Sequence, residues 1–365
     1  MKNVLPHIRF YPSNEDFRNP FERDRDRIIH SSSFRRLEYK TQVFLNSSGD
    51  YFRTRLTHSL EVSQIARAIS KNLGLDSSLS EAIAIAHDLG HTPFGHAGGD
   101  MLDEILKECG YSSGFDHNFQ SFRVVSKLEK RYKDFDGLNL TFATLEGLLK
   151  HSYPYDKPFL SDKLKDIFKT GFHPSLEAVV VDISDEIAYV SHDIDDGIKY
   201  GLISFDTIQE NELIKDCMKY VENSEGVSRK DKIFRHRFTS RLISVLVYDV
   251  LENSQKIIQQ QPQCSCIKSI ESLPVSHSKH MQLEIKKIKK ILFNELYKHK
   301  EIQTKMFVGK KCVKTLYECL SSDIHLLPKE LKLRVQNGEK LHRICADFIA
   351  SMSDRYALFL YNELK

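Results

Sequence analysis

A chain of 365 residues with 41% hydrophobic and 28% charged residues can bury a large core and has the composition of an ordinary soluble globular protein, in one large or two modest domains. Its formal net charge of +3 makes no global electrostatic case for a nucleic-acid or membrane binder. No apolar run approaches the roughly 18 residues of a transmembrane span, so no membrane partner is expected.

The N-terminal stretch MKNVLPHIRFYPSNEDFRNPF lacks the continuous apolar segment of a secretory signal. Seven scattered cysteines are an awkward number for a disulfide scaffold and suit reduced thiols in a cytoplasmic protein. Cys264 and Cys266 form a C-x-C with no second pair at zinc-like spacing.

In chain order, apolar residues at Leu56, Leu60, Ile65, Ala66 and Ile69 predict an amphipathic helix over 56–73. The stretch DSSLSEAIAIAHDLGH follows, with Ser78 and Glu81 at capping-box spacing, and stops at Gly90 and Pro93. Residues 116–131, 141–151 and 176–198 read as further helices. In the last of these, Ile183, Ile187, Val190, Ile194 and Ile198 form one buried stripe. Its Asp182, Asp185, Tyr189, His192, Asp193 and Asp196 lie on the other faces, either as a solvated acidic surface or as a line of ligating groups along two turns. Residues 253–282, rich in Ser, Gln, His and Pro, predict a long loop with at most a short strand. Helical patterning returns from Met281 to Lys365, where KKIKK at 286–290 reads as the solvated face of an amphipathic helix, with a phosphate-binding or regulatory patch as the alternative. The fold class is all-α, with minor short strands.

The helix ending at His87-Asp88 runs into His91 and His96, and His58 opens the preceding helix. A divalent metal needs neutral imidazoles and carboxylates converging from different elements. His58, His87, Asp88 and Asp185 supply that set, although core and capping roles answer to the same residue types. Arg35, Arg36, Lys40, Arg53 and Arg55 bring cationic groups nearby in sequence; Arg55, three residues before His58, can share its helix face. Guanidinium groups beside a metal suit a polyphosphate.

These blocks together resemble the dGTPase-like deoxynucleoside triphosphate triphosphohydrolase family of the HD superfamily. The resemblance runs through NPFERDRDRIIHSSSFRRLEYKTQVF (19–44), RTRLTHSLEVSQIAR (53–67), AHDLGHTPFGHAG (86–98), FDHNFQSFR (115–123), GLNLTFATLEGLLKH (137–151) and DISDEIAYVSHDIDDG (182–197). It continues weakly in ILFNELYKH (291–299) and ADFIASMSDRYA (346–357).

It implies an HD-type metal-dependent phosphohydrolase core at 1–205. A helical C-terminal extension at 206–365 would pack on the same domain, with a loop-rich insertion near 253–282. It implies a divalent metal ion (Mn, Mg, Fe or Zn) held by His58, His87, Asp88 and Asp185. His96 would stand beside the reacting phosphate with His91 and His117 near it. Gln42 and Asp193 would contact the deoxyribose, and Arg55 and Tyr189 the triphosphate. The implied reaction hydrolyses a dNTP to deoxynucleoside and inorganic triphosphate, in a homo-oligomer. His96 would manage protons, with His117 the second candidate for protonating the leaving 5′-oxygen.

The family usually carries an acidic residue three positions after the histidine matching His96. Here that position is Gly99, and Asp100 comes one step later. Asp100 either swings back to serve His96, helped by the freedom of Gly98-Gly99, or caps a helix starting near Met101. The alternatives to the dNTP reading are an HD phosphohydrolase acting on nucleoside monophosphates or cyclic nucleotides, and a weakly active regulator that binds nucleotides or single-stranded nucleic acid.

Overall fold

A computed structural model describes residues 6–14, 16–43, 52–157, 160–260 and 273–365. Helices dominate, and among the described residues extended pairing is confined to the isolated bridges Arg9–Thr141, Thr41–Thr54 and Lys130–Gly137. The expected short strands are therefore single bridges. The chain forms two compact units, each assembled from separated stretches: 1–59, 85–171 and 304–365 in the first, 60–84 and 172–303 in the second. No described helix is long and apolar enough to cross a membrane.

In the first unit, α1 (Pro20–Ile29) starts on a complete capping box: Asn19 Oδ1 accepts from Phe21 and Glu22 N–H, and Glu22 returns a bond to Asn19 N–H. Its fully buried Asp24 accepts from Thr141 N–H at 2.9 Å and from the Thr141 and Thr144 hydroxyls, fixing the start of α7 (Phe142–Leu149). The short α2 (Ser32–Arg36) is capped by Ser31. The start of α3 (Arg55–Asn72) is capped by reciprocal Thr54–Thr57 bonds.

Helix α5 (Gly95–Glu108) shares a core with the 304–322 stretch of α14 (Lys300–Ser322) and with α16 (Leu341–Ser351). Leu102, Leu106, Val313, Leu316, Ile344 and Ile349 are almost wholly shielded there. The remaining helices of this unit are α6 (His117–Arg123), α8 (Asp162–Phe168), α15 (Lys329–Gln336) and α17 (Asp354–Leu364).

In the second unit, α9 (Leu176–Tyr200) packs against α12 (Phe234–Gln260) and α13 (Lys279–Leu292), and α11 (Glu212–Asn223) against α12. The unit also holds α4 (Ser77–Ala86) as far as Ala84, and the one-turn α10 (Phe205–Ile208).

Several expectations are corrected here. The apolar stripe of α3 runs through Val62, Ile65, Ala66 and Ile69, while Leu60 is exposed. Helix α4 is capped by Asp76, whose Oδ1 accepts from Ser78 and Leu79 N–H, so no capping box starts at Ser78. The loop expected from 253 begins later: α12 continues through Gln260, because Leu246, Val250 and Ser254 extend its buried seam. Its polar residues are satisfied from the segment before α13, where Asn253 donates to Ser276 O at 3.0 Å and Asp249 accepts from Ser278 N–H and Oγ–H. Residues 261–272, with Cys264 and Cys266, lie outside the described residues. The described cysteines are free thiols. On α13, Lys286, Lys287 and Lys290 are exposed as expected of KKIKK, but Lys289 ion-pairs with Glu186 and lies over the Tyr189 ring.

Candidate active site

The first turn of α3 presents Arg55 and His58, and α4 ends at Ala86, immediately before His87 and Asp88. The backbone then turns sharply, with Leu89 N–H on Ala86 O and His91 N–H on Asp88 O. Gly90 makes the turn possible, because a Cβ there would stand 2.2 Å from His117 O and from Ser121 N. Ser121 locks both sides: its hydroxyl donates to His87 O at 2.6 Å and accepts from Gly90 N–H at 2.8 Å.

Farther along, Phe94 takes a left-handed conformation (φ +62°) and donates its N–H to Asp354 Oδ1 at 2.9 Å. Phe94 in turn fills the space over Gly309, where a Cβ would come within 2.7 Å of it. Lys40, fully buried, donates to His91 O and to Ala350 O. Asp354 also accepts from Thr41 N–H at 3.0 Å. The short loop between His87 and α5 is thus held from several elements.

Two groups of donors result. His58, His87 and Asp88 are 1%, 2% and 4% exposed, and one ligand atom from each lies within 4.8 Å of the others. Arg55 Nη1 donates to Asp88 Oδ2 at 2.9 Å, and His91 Nε2 stands 3.1 Å from Asp88 Oδ1. Burial alone would raise the Asp88 pKa, but His87, Arg55 and His91 together hold it well below the usual carboxylate range. A permanently anionic carboxylate with two shielded imidazoles is a donor set that fits a divalent transition metal.

The second group is His91, His96 and His117, again with ligand atoms within 4.8 Å. The His91 and His117 rings stack at 4.1 Å, with His96 edge-on to both. Burial, then Arg55 and His117, lowers the His91 pKa. Burial, then His96, brings His117 down to about 3. His96 reaches solvent. These rings line a polar cavity of about 120 Å³ together with Gly99, Asp100, Asp103 and Asp116.

Asp100 is not an N-cap. Helix α5 already begins at Gly95, so Asp100 sits within its second turn, exposed, with Oδ2 3.8 Å from Lys310 Nζ. It lies one helical turn beyond His96 and so on the same face. Gln42, after the turn at Leu37–Tyr39, has a buried Oε1 without a hydrogen-bond partner.

In the second unit, α9 carries Asp185 and Tyr189 half-buried and Asp193 only 3% exposed. The acidic face of α9 is not solvated: Asp195 and Asp196 are buried too, Asp195 paired with Arg235. Sequence reasoning missed Tyr297, whose hydroxyl donates to Asp193, and Lys289 beside Tyr189. Burial and then Asp193 raise the pKa of both Tyr189 and Tyr297. Tyr297 lies within ILFNELYKH, so that block was the available signal. Lys40 and Asp354 were missed as holders of the loop.

A His/His-Asp donor set on two helix ends beside an arginine defines a hydrolase of the HD phosphohydrolase class, and residues 55–190 match the HD domain family. Residues 275–363 match the phosphohydrolase-associated domain. Over 363 residues the chain is 62% identical to a deoxyguanosinetriphosphate triphosphohydrolase-like protein of Wolinella succinogenes, covering 99% of each chain. It is 41% identical to one from Geobacter sulfurreducens, covering 98% of this chain and 91% of the other. The chain belongs to the deoxyguanosinetriphosphate triphosphohydrolase-like family.

Proposed function

We propose that the chain hydrolyses a deoxynucleoside triphosphate to deoxynucleoside and inorganic triphosphate. The observation that carries this reading is the shielded His58–His87–Asp88 set with Arg55 bonded to it, beside three clustered histidines, in a chain similar over its whole length to triphosphohydrolase-like proteins. These three residues hold a divalent metal, with Asp185 assigned as fourth ligand on the family resemblance. When bound, such a metal supplies Lewis-acid polarisation of a phosphoryl oxygen and acidifies bound water. Its identity among Mn, Fe, Zn and Mg is a matter for metal analysis.

Arg55 neutralises triphosphate charge while keeping its bond to Asp88. His117, held neutral by burial, offers its one N–H to a phosphate oxygen, while neutral His91 spends its Nε2–H on Asp88 and so steadies that carboxylate. His96, open to solvent, exchanges the proton needed by the leaving 5′-oxygen. A His117 pKa of about 3 makes His117 the weaker candidate for that delivery. Asp100 orients His96 from the next helical turn, in place of the acid absent at Gly99. Gln42, with its waiting Oε1, and Asp193, with its Tyr297 partner, contact the sugar; Tyr189 contacts the phosphates. A close sugar contact excludes a 2′-hydroxyl sterically, so ribonucleotides are poor substrates.

We also propose a homo-oligomer, which light scattering on the purified protein reads directly. Incubation with each dNTP and Mn²⁺ tests the activity. Inorganic triphosphate as product supports the reading, whereas orthophosphate or no turnover points to the other HD hydrolases or to a binding role.

A further inference from the structure

The first unit holds a second cavity, walled by apolar side chains such as Leu89, Val124 and Phe348 together with charged ones, that shares no residue with the histidine site. It measures about 170 Å³, room for roughly five or six waters, and Ser33, Arg36, Lys40, Glu129, Arg334 and Asp347 are among its lining groups.

Its acids are already satisfied. Glu129 accepts from Ser33 N–H at 2.7 Å and Ser33 Oγ–H at 2.6 Å. Asp347 is bound by Arg123 at 2.6 Å and Arg343 at 3.1 Å. Arg334 is spoken for by Glu339, with both bonds at 2.9 Å.

Two cations are not. Arg36 spends one of the five N–H donors of a guanidinium, on Ser33 Oγ at 2.8 Å, and no described carboxylate ion-pairs with it. Lys40 spends two of its three ammonium donors on the carbonyls of His91 and Ala350. Two side chains with spare donors therefore line one space larger than a structural water needs.

We propose that this cavity binds a small oxyanion-bearing molecule, its phosphate or carboxylate taken by Arg36 and the remaining N–H of Lys40, and that its occupancy acts on the hydrolytic site through the Lys40–His91 bond. A planar guanidinium fork matches either oxyanion bidentately. Burial and then Arg36 bring Lys40 down to about 7, and an anion beside both cations returns its charge. That strengthens its hold on the His91 carbonyl, in the loop that leads into α5 and His96.

Calorimetric titration with inorganic phosphate and, separately, with succinate at fixed ionic strength tests the binding step on the metal-loaded protein without substrate. Its failure is thus separable from failure of the hydrolase reading. Wild type is expected to bind at least one of the two anions, and which one identifies the ligand's chemical class. Arg36→Gln removes that event or weakens it by about tenfold or more, the loss of a charge-assisted fork. Arg36→Lys, which keeps the charge without the fork, falls between and serves if Arg36→Gln does not fold. Phosphate held at the histidines persists in both variants. The anion that binds also changes dNTP turnover in wild type more than in Arg36→Gln. Isotherms identical in wild type and both variants overturn the site, and an anion response of turnover unaltered by Arg36→Gln overturns the coupling.

Discussion

The two histidine groups of the first unit are built from the same residue type to opposite specifications. His58 and His87 are shielded from water beside an ionised, arginine-bound Asp88. His91, His117 and His96 instead grade from buried to exposed along the wall of an open cavity. The contrast teaches that burial sorts these donors by how long they keep a partner. A shielded set around an ionised carboxylate, with Arg55 already on one of its oxygens, suits a resident cation at the other donors. A set that opens progressively to solvent suits a ligand and a proton that come and go.

The largest expected effect comes from breaking the shielded set. Asp88→Ala removes a proposed metal donor and leaves Arg55 buried without its carboxylate, a loss of about 3–5 kcal/mol for a broken buried pair. Activity is abolished, bound metal falls by elemental analysis, and the melting temperature drops. Full activity in this variant would remove Asp88 from the site.

Substitution in the graded set should spare the metal. His96→Ala lowers turnover by about 10²–10⁴-fold, the range of general acid–base help, with wild-type metal content. Loss of metal in His96→Ala would merge the two groups into one.

Smaller effects belong to the carboxylate proposed to serve His96. Gly99 has an ordinary helical φ, and a Cβ there would meet only Thr92 Oγ1, at 3.8 Å. Gly99→Glu therefore folds and raises turnover, while Asp100→Asn lowers it by less than His96→Ala does. Steady-state kinetics with thermal melts as control read both. An inert Gly99→Glu shows that the missing acid does not limit the reaction.

The smallest effect is a pH dependence from Lys40. Its pKa is about 7 in the folded protein against an ordinary 10.5. Between those values the unfolded chain binds a proton that the folded chain does not, so stability gains with rising pH across that window. The gain is lost as pH falls through 7. Lys40→Met should lack it, seen as a smaller change in melting temperature between pH 7.5 and 9.5 than in wild type, in buffers without phosphate or carboxylate.

Local sequence carried much of this architecture. The helix at 176–198 with its apolar spacing and the break at Gly90 are visible in neighbouring residues and the structure contains them, whereas the caps read at Ser78 and Asp100 fall to Asp76 and to an earlier start of α5. Long-range burial was not visible. Asp193 resembles part of a solvated face in sequence and is buried, its carboxylate met by Tyr297 from a distant stretch, as its neighbour Asp195 is met by Arg235. Helix α12 outran its polar composition for the same reason: Ser276 and Ser278 meet Asn253 and Asp249 across more than twenty residues. Among the proposed site residues, those in compact motifs (His58, His87-Asp88, His91, His96) stand out locally, and the family resemblance assigns their roles. Lys40 and Asp354 could not, since their role is to hold backbone groups far away in the chain.

The central claim is that the shielded donors and the open histidines together release triphosphate intact. Incubating the Mn²⁺-loaded protein with dGTP and resolving the phosphate products by ³¹P NMR tests it most directly. The account predicts inorganic triphosphate and deoxyguanosine in equal amounts, with GTP turned over far more slowly. Appearance of dGDP with orthophosphate, or of dGMP with pyrophosphate, would contradict it.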